Sequence, residues 1–410
     1  MKVAGRQGRG TGRYRTLCRS RLQARLSIRA PTPVRLRVSA LAISGLCRES
    51  AADRTGSVAG RPSISDSASF SGQRILVTGG SGTIGSRLVD HLLERGPEVV
   101  RVLGRDETKQ FYQRQRLRER TNVRFLVGDI RDRDRLVRAM DGIDTVFHCA
   151  ALKHVESGEY NPFEATQTNV VGTQNVIDAC LSAGVRTMVL TSSDKAANPT
   201  SVMGASKLLA EKLVSAATNY RGSRPTRFAS VRFGNVLGSR GSALELFFRQ
   251  IAAGGPVTVT DPTMTRFVMT TDRAVELAIR AAEVARGGEV FVFKMPAARL
   301  ADLVGAAIDI VAPTRDLDPR AIATATIDPR PGEKAYEELM TEDESTRAHD
   351  IGDMFAVLPS IESRREVVDA YRDSPPAPVG AYRSDGVAAM TRADVEALVR
   401  ETFGADGAFG

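Results

Sequence analysis

Residues Ile75–Leu93 read ILVTGGSGTIGSRLVDHLL. A short apolar run ends in a Gly-rich turn, and an amphipathic stretch follows. Gly79, Gly82 and Gly85 fall at a G-x-x-G-x-x-G spacing. Each glycine has a mechanical reason: a tight turn, close approach of backbone to a diphosphate, and close packing of helix on strand. The helix amino terminus adds free N–H groups and a positive dipole to the same spot. Ser81, Thr83 and Ile84 complete the loop. A Gly-rich loop alone says little. Set between strand and helix at the head of a βαβ run, it predicts a dinucleotide site.

Outward from this loop, strand and helix signals alternate. Arg74–Val77, Val99–Leu103, Val123–Val127, Thr145–Phe147 and Thr187–Leu190 read as strands. Ile84–Glu94, Arg133–Met140, Glu164–Leu181 and Ser206–Ala217 read as helices. This rhythm predicts an α/β fold, a Rossmann doubly wound parallel sheet. Near Phe228–Phe233 the rhythm loosens, and Gly, Pro and Thr become frequent over Gly234–Thr271. Such insertions at strand carboxyl ends build substrate pockets in open α/β sheets. Strand and helix signals return at Glu289–Phe293 and Leu300–Ile310. The expected organisation is a basic, disordered leader and linker over 1–70 and an NAD(P)-binding domain over 71–232. A smaller C-terminal substrate-binding subdomain over 233–410 returns some elements to the Rossmann core.

Charge is unevenly placed. Residues 1–48 carry eleven Arg plus Lys2 and no acid, so this leader is +12 while the remainder is −3. A nucleic-acid partner is therefore not expected of the body. The leader resembles a transit peptide in being Arg-rich and acid-free, and it also fits a basic arm. With no persistent helical period, it reads most simply as a disordered tail. No stretch reaches the ~20 apolar residues of a membrane span, so a cytoplasmic location is expected. Cys18, Cys47, Cys149 and Cys180, and His91, His148, His154 and His349, are too scattered for a disulfide framework or a metal site.

Cofactor choice is read at the end of the second strand. Twenty residues after Gly85 comes Arg105, directly followed by Asp106. Arginine there suits the 2′-phosphate of NADP, and an acid suits the ribose hydroxyl of NAD. Arg105 comes first, so NADP is the expectation and NAD stays open. Asp129 and Ile130 follow the third strand, where adenine is flanked in such sheets. Ala150 and Ala151 follow the fourth, where small residues let the cofactor approach.

After the fifth strand comes TSSDKAANPTSVMGASKLLAEKL, Thr191–Leu213. Together with the glycine loop, this segment resembles extended short-chain dehydrogenases/reductases. Most of these carry a Ser/Thr and a Tyr-x-x-x-Lys. Here Ser192 or Ser193 and Lys207 match, but Met203 holds the Tyr position, and a thioether exchanges no proton. Further segments narrow the resemblance: ALKHV at Ala151–Val155, FGNVLGSRGS at Phe233–Ser242, TDPTMTRF at Thr260–Phe267 and RPGEKAYEEL at Arg330–Leu339. The set resembles the polysaccharide-biosynthesis branch of nucleotide-sugar enzymes, the inverting UDP-N-acetylglucosamine 4,6-dehydratases, over about Gln73 to Val399. Glu156 departs from it, since the family often has Pro there.

The resemblance implies a redox-neutral dehydration of a UDP-sugar. Hydride leaves sugar C4, the C4 ketone acidifies the C5 hydrogen, a base removes it, an acid protonates the C6 hydroxyl, and hydride returns at C6. Asp194 and Lys195 supply the acid and base, and a closed pocket could set both states. Lys207 touches the nicotinamide ribose. Ser193, Lys207 with a water, and Lys153 remain candidates for deprotonating the C4 hydroxyl. Lys153 and Asn169 join the cofactor contacts. Lys153, Asn235, Arg240, Thr260, Arg266 and Glu333 form the substrate set, with Arg suited to phosphate. A homo-oligomer is expected. Two other readings stand beside this one: an epimerase of the same fold, and a noncatalytic NADP(H)-binding scaffold.

Overall fold

The computed structural model describes residues 69–328, 332–361 and 365–404. The readings of the basic leader concern residues outside these. Nine strands form the main sheet: β1 (Arg74–Thr78), β2 (Val99–Gly104), β3 (Val123–Val127), β4 (Thr145–His148), β5 (Thr187–Thr191), β6 (Arg227–Arg232), β7 (Val290–Phe293), β8 (Ala348–Asp350) and β9 (Met354–Val357). Their order is β8-β9-β7-β6-β5-β4-β1-β2-β3. β1 to β7 are mutually parallel. β9 runs antiparallel to β7, and β8 antiparallel to β9. The order reverses between β1 and β4, the switch point at whose carboxyl ends such sheets bind ligands.

Helices cover both faces, so the central strands are apolar on both. On one face, Leu88, Val89 and Leu92 of helix Thr83–Leu93 join Val275 and Ala278 of helix Thr271–Val284 over Ile75, Val77 and Val102. On the other, Leu136, Val176, Ile177, Val214 and Ala217 pack on Leu76, Leu103, Val146 and Met188. A separate cluster joins Phe247, Phe248 and Ile251, Leu303 and Ile308, and Val395, Val399 and Phe403. It lies among the helices Ala243–Ala252, Leu300–Val311 and Arg392–Phe403.

The helix expected over Glu164–Leu181 is interrupted. It runs as Pro162–Thr166, a π-helical turn Gln167–Val171, and Gly172–Ala183. The wide turn places Asn169 in the interior, and π turns recur at functional sites. At Gly172 a Cβ would stand 2.7 Å from Ile130 Cδ1, so a larger residue there would make the Ile130 side chain shift.

β6 lies where the sequence rhythm loosens, because Arg227, Ser230 and Arg232 interrupt its apolar pattern. Arg232 is nonetheless fully buried. It donates to Glu211 Oε2 at 2.6 Å, to Glu344 Oε2 at 2.8 Å and to the Leu339 carbonyl at 2.9 Å. The stretch expected to be irregular also holds order, namely helix Ala243–Ala252 and short strands Asn235–Val236, Val257–Val259 and Thr265–Met269. Among the described residues, no helix is long and apolar enough to cross a membrane.

Candidate active site

The glycine loop is held against the segment that follows β4. Gly79 has φ +66°, and a Cβ on it would stand 2.7 Å from the Ala150 backbone nitrogen. A Cβ on Gly85 would stand 2.3 Å from the Gly79 carbonyl oxygen. These two positions therefore require glycine: one for its backbone and its neighbour, the other for helix packing. Below the loop, Thr78 Oγ1 bonds His148 Nδ1 at 2.7 Å, and His148 Nε2 lies 3.1 Å from Thr173 Oγ1. Burial, helped by the charge of Lys207, pushes His148 down to about 3. It is a neutral packing residue.

The residues expected at the adenine end come together. Arg105 Nη1 lies 3.4 Å from Asp129 Oδ2, and Arg131 holds the same carboxylate at 2.8 Å. Asp106 is otherwise engaged. It caps helix Glu107–Arg116, accepting from the Lys109 N–H at 2.9 Å, and pairs with the Lys109 ammonium at 2.7 Å. Ile130 is buried against Gly172. Asn169 is also buried, with its whole amide in use. Oδ1 accepts from the Leu152 N–H at 2.8 Å, while Nδ2 donates to the Leu152 carbonyl and to Ser206 Oγ, each at 3.0 Å. Its side chain fixes the loop carrying Ala151 and Lys153.

Arg240 and Lys153 stand over the glycine loop. Arg240 Nη2 donates to the Ser81 carbonyl at 2.9 Å, and Lys153 Nζ donates to the Arg240 carbonyl at 2.7 Å. Of the expected substrate set, Arg240 and Lys153 are thus brought to the phosphate-binding turn.

The turn after β5 is built from its own side chains. The Ser192 N–H donates to the Val231 carbonyl at 2.7 Å and the Asp194 N–H to the Phe233 carbonyl at 3.0 Å. Both bonds tie this turn to β6 and the residues after it. Ser193 caps the 3₁₀ turn Asp194–Ala196. Its hydroxyl donates to Asp194 Oδ1 at 2.7 Å, and Lys195 Nζ lies 2.9 Å from Asp194 Oδ2. Asp194 is buried, while the Lys195 side chain keeps 37% of its exposure. Burial works to lower Lys195, but the charges of Asp194 and then Glu337 outweigh it and hold the ammonium above its usual range. On helix Val202–Tyr220, Met203 and Lys207 are both buried. Lys207 Nζ donates to the Thr191 carbonyl at 2.5 Å. Burial pushes it down to about 8, against the pull of Glu211 and Cys149.

Thr260, Arg266, Glu333 and Asn235 gather beside this turn. Glu333 Oε1 accepts from Thr260 Oγ1 at 3.1 Å and from Arg266 Nη2 at 3.2 Å. A residue not singled out in the sequence completes the group. Glu337 accepts from Asn235 Nδ2 at 2.8 and 2.9 Å and from the Phe267 N–H at 2.9 Å, while Asn235 Nδ2 also donates to the Phe267 carbonyl at 3.0 Å. Arg266 Nε stands 3.7 Å from it. Burial, then the charge of Asp194, pushes the Glu337 carboxyl up to about 7. Its signal was an acidic doublet, Glu337-Glu338, running straight into apolar Leu339-Met340. Among the described residues, no group of three or more His, Cys, Asp or Glu is placed to hold a metal ion.

The arrangement suits a dinucleotide over the glycine loop and a second ligand against Lys195. Over residues 75–359 the chain matches the family described as polysaccharide biosynthesis protein. It is 49% identical to an uncharacterized membrane protein of Methanocaldococcus jannaschii over 71% of this chain and 87% of the relative. It is 39% identical to an inverting UDP-N-acetylglucosamine 4,6-dehydratase of Campylobacter jejuni, over 72% of this chain and 85% of the relative. A UDP-glucose 4-epimerase of Rickettsia canadensis is 38% identical over 70% and 83%. Among solved structures, Pen from Bacillus thuringiensis superposes with TM-score 0.76 at 44% identity, covering 82% of this chain and 98% of that one. The dTDP-glucose 4,6-dehydratase DesIV of Streptomyces venezuelae, with NAD and TYD bound, superposes with TM-score 0.56 at 25% identity, over 64% and 86%. With its Rossmann sheet and glycine loop, the chain belongs to the polysaccharide biosynthesis protein family of extended short-chain dehydrogenases/reductases.

Proposed function

We propose that this protein is an NADP-dependent 4,6-dehydratase of a UDP-N-acetylhexosamine, with UDP-N-acetylglucosamine as substrate and inversion at C5. The observation that carries the reading is the Asp194–Lys195 contact of 2.9 Å at the carboxyl end of β5, one strand from the switch point. The glycine loop, Ala150 and Ala151 would hold the dinucleotide, whose chemistry is reversible hydride transfer. Arg105 supports NADP, and the NAD seen in DesIV keeps the alternative in the test. Lys195 takes the C5 proton and Asp194 protonates the leaving C6 oxygen. Arg266, Asn235, Thr260 and Glu333 face the nucleotide-sugar, and Arg240 and Lys153 close the space over the glycine loop.

A second reading has support from the Rickettsia relative, an epimerase at C4 of UDP-glucose. The Asp194–Lys195 pair weighs against it, since inversion at C4 involves no elimination and needs no acid and base placed together for one. One incubation separates them. Cofactor-loaded protein with UDP-N-acetylglucosamine is followed by mass spectrometry. Loss of one water supports the dehydratase. An isomer of unchanged mass supports the epimerase, and unchanged substrate from both UDP-N-acetylglucosamine and UDP-glucose sinks both readings.

We also propose a homo-oligomer. Tyr160, Phe163, Leu209 and Tyr220 are 89%, 69%, 48% and 49% exposed on helices that pack together. Light scattering that returns the monomer mass at working concentration would overturn this.

A further inference from the structure

Arg240 touches both lips of the crevice at the switch point. One lip is the glycine loop after β1, and the other is the loop after β4 that carries Ala150 to His154. On the first lip, the Arg240 guanidinium donates to the Ser81 carbonyl at 2.9 Å, and its backbone N–H donates to Thr83 Oγ1 at 3.4 Å. On the second, its backbone carbonyl accepts from Lys153 Nζ at 2.7 Å. One residue thus spans the two edges between which such sheets take their dinucleotide.

The bend that carries Arg240 is ordered and is anchored away from the Rossmann core. The Leu237 N–H donates to the Met269 carbonyl at 2.9 Å, and the Leu237 side chain packs in the cluster of Phe247, Leu303 and Val399. The bend closes through the Ser242 N–H, which donates to the Ser239 carbonyl at 3.0 Å, and through the Gly241 N–H, which donates to Glu245 Oε2 at 2.6 Å. Gly241 has φ +73°, and a Cβ on it would stand 2.7 Å from His154 Cε1. A side chain there would part the bend from the second lip.

Charge points to what such a bridge would hold. Among the described residues, neither Lys153 nor Arg240 forms an ion pair, and the side-chain hydrogen bonds of both end on backbone carbonyls. Glu245, whose charge also reaches Lys153, is paired with Arg249. Two cations without a counter-charge meet where the glycine loop offers its N–H groups, and a diphosphate would supply that charge.

We propose that the Arg240 bend is a strap, fastened by Lys153, that retains the diphosphate of the dinucleotide, so that the cofactor leaves only when the bend opens. This gives Arg240 to the cofactor and not to the sugar nucleotide. The inference rests on the dinucleotide site and on neither sugar reading in particular. It suits both, because a hydride that returns to the substrate leaves the cofactor as it was, and no exchange is needed between turnovers.

The test reads cofactor release with no sugar present. Full-length wild type, R240A, K153A and the double variant are loaded with NADPH and mixed with excess NADP, and the decay of bound-NADPH fluorescence gives the release rate. The series is repeated with NADH and NAD, so the outcome does not depend on which cofactor is preferred. R240A and K153A are each expected to release about tenfold faster or more, the weight of one charge-assisted hydrogen bond. Lys153 acts through the Arg240 carbonyl, so the double variant should release at most about threefold faster than R240A. Release from R240A within threefold of wild type overturns the inference. So does slower release, which would make the bend a competitor for the site. Effects that multiply in the double variant would show two separate contacts and no strap. Unchanged release with a tenfold higher KM for UDP-N-acetylglucosamine would return Arg240 to the sugar nucleotide and overturn it too. If R240A does not fold, K153A and G241A decide, and release within threefold of wild type from both overturns the strap. A wild type that dehydrates no UDP-sugar ends the dehydratase reading instead, which is a different result.

Discussion

Lys195 Nζ and Asp194 Oδ2 lie 2.9 Å apart, on adjacent residues of one short 3₁₀ turn. Adjacent side chains rarely face each other. Here the turn and the Ser193 cap fold them onto one side, with Asp194 buried and Lys195 partly exposed. An acid and a base so placed would share one proton path, as the proposed elimination requires.

Two variants separate their roles. K195A is expected to abolish both water loss and exchange of the C5 hydrogen with deuterated solvent, because no base remains. D194N is expected to keep part of the exchange and lose the dehydrated product, because an amide cannot serve as the acid. A general acid or base contributes ~10²–10⁴-fold, so each loss should be easily read. Cofactor binding should survive in both, as neither residue belongs to the glycine loop. Turnover like wild type in either variant would refute the assignment.

Arg105, after β2, tests cofactor preference. Its side chain is 53% exposed beside Asp129, open to a phosphate. R105A is expected to weaken NADP more than NAD, measured by fluorescence titration of the two reduced cofactors. A charge-assisted hydrogen bond is worth roughly 1.5–3 kcal/mol, which moves the ratio about tenfold or more. Equal weakening of the two cofactors refutes it.

The parallel core was legible because its strands are short apolar runs spaced by helices, and the glycine loop because its three glycines answer to steric contacts. β6 was not, because the pattern that marks a strand is apolar, and Arg232 is buried only through partners 21 and 112 residues away in sequence. Glu337 was hidden for a similar reason. Its neighbours Asn235, Phe267 and Asp194 come from three separate segments, and no local spacing announces such a meeting. Asn169 and Arg240 show the converse. Each was recognisable as special, but what its side chain holds, the loop at Leu152 or the Ser81 carbonyl, is a property of the folded chain.

Lys207 offers a split between stability and activity. Its burial lowers it from 10.5 to about 8, so the native state carries a buried ammonium at pH 7. That shift corresponds to a penalty of about 3 kcal/mol at pH 7, partly offset by the bond to Thr191. As pH rises from about 8 toward 10.5, the unfolded chain binds the extra proton and native stability increases. K207M is expected to keep or raise the Tm at pH 7 and to lose that rise above pH 8, while kcat falls by ~10² or more. A Tm several degrees lower with activity retained would mean that Lys207 is structural.

The buried triad of Arg232, Glu211 and Glu344 should govern acid stability. Burial works to raise the Glu344 carboxyl, but the charge and hydrogen bonds of Arg232 outweigh it and hold the group down at about 2, from 4.5. A carboxyl depressed in the native state stabilises it above the unfolded value, and that contribution is lost as pH falls from about 4.5 to about 2. Its size is about 3 kcal/mol by the shift. The triad also joins β6 to the helix carrying Lys207 and to the segment carrying Glu337, so its loss should reach the site. R232M leaves two buried carboxylates without their cation and is expected to cost about 3–5 kcal/mol at pH 7. E344Q keeps a hydrogen-bonding partner for Arg232, so it should cost less at pH 7. It should also flatten the fall in stability between pH 4.5 and 2. Urea denaturation of wild type, R232M and E344Q at pH 7, 4.5 and 3 reads both effects. The assignment fails if E344Q and wild type lose stability in parallel across that acidic window.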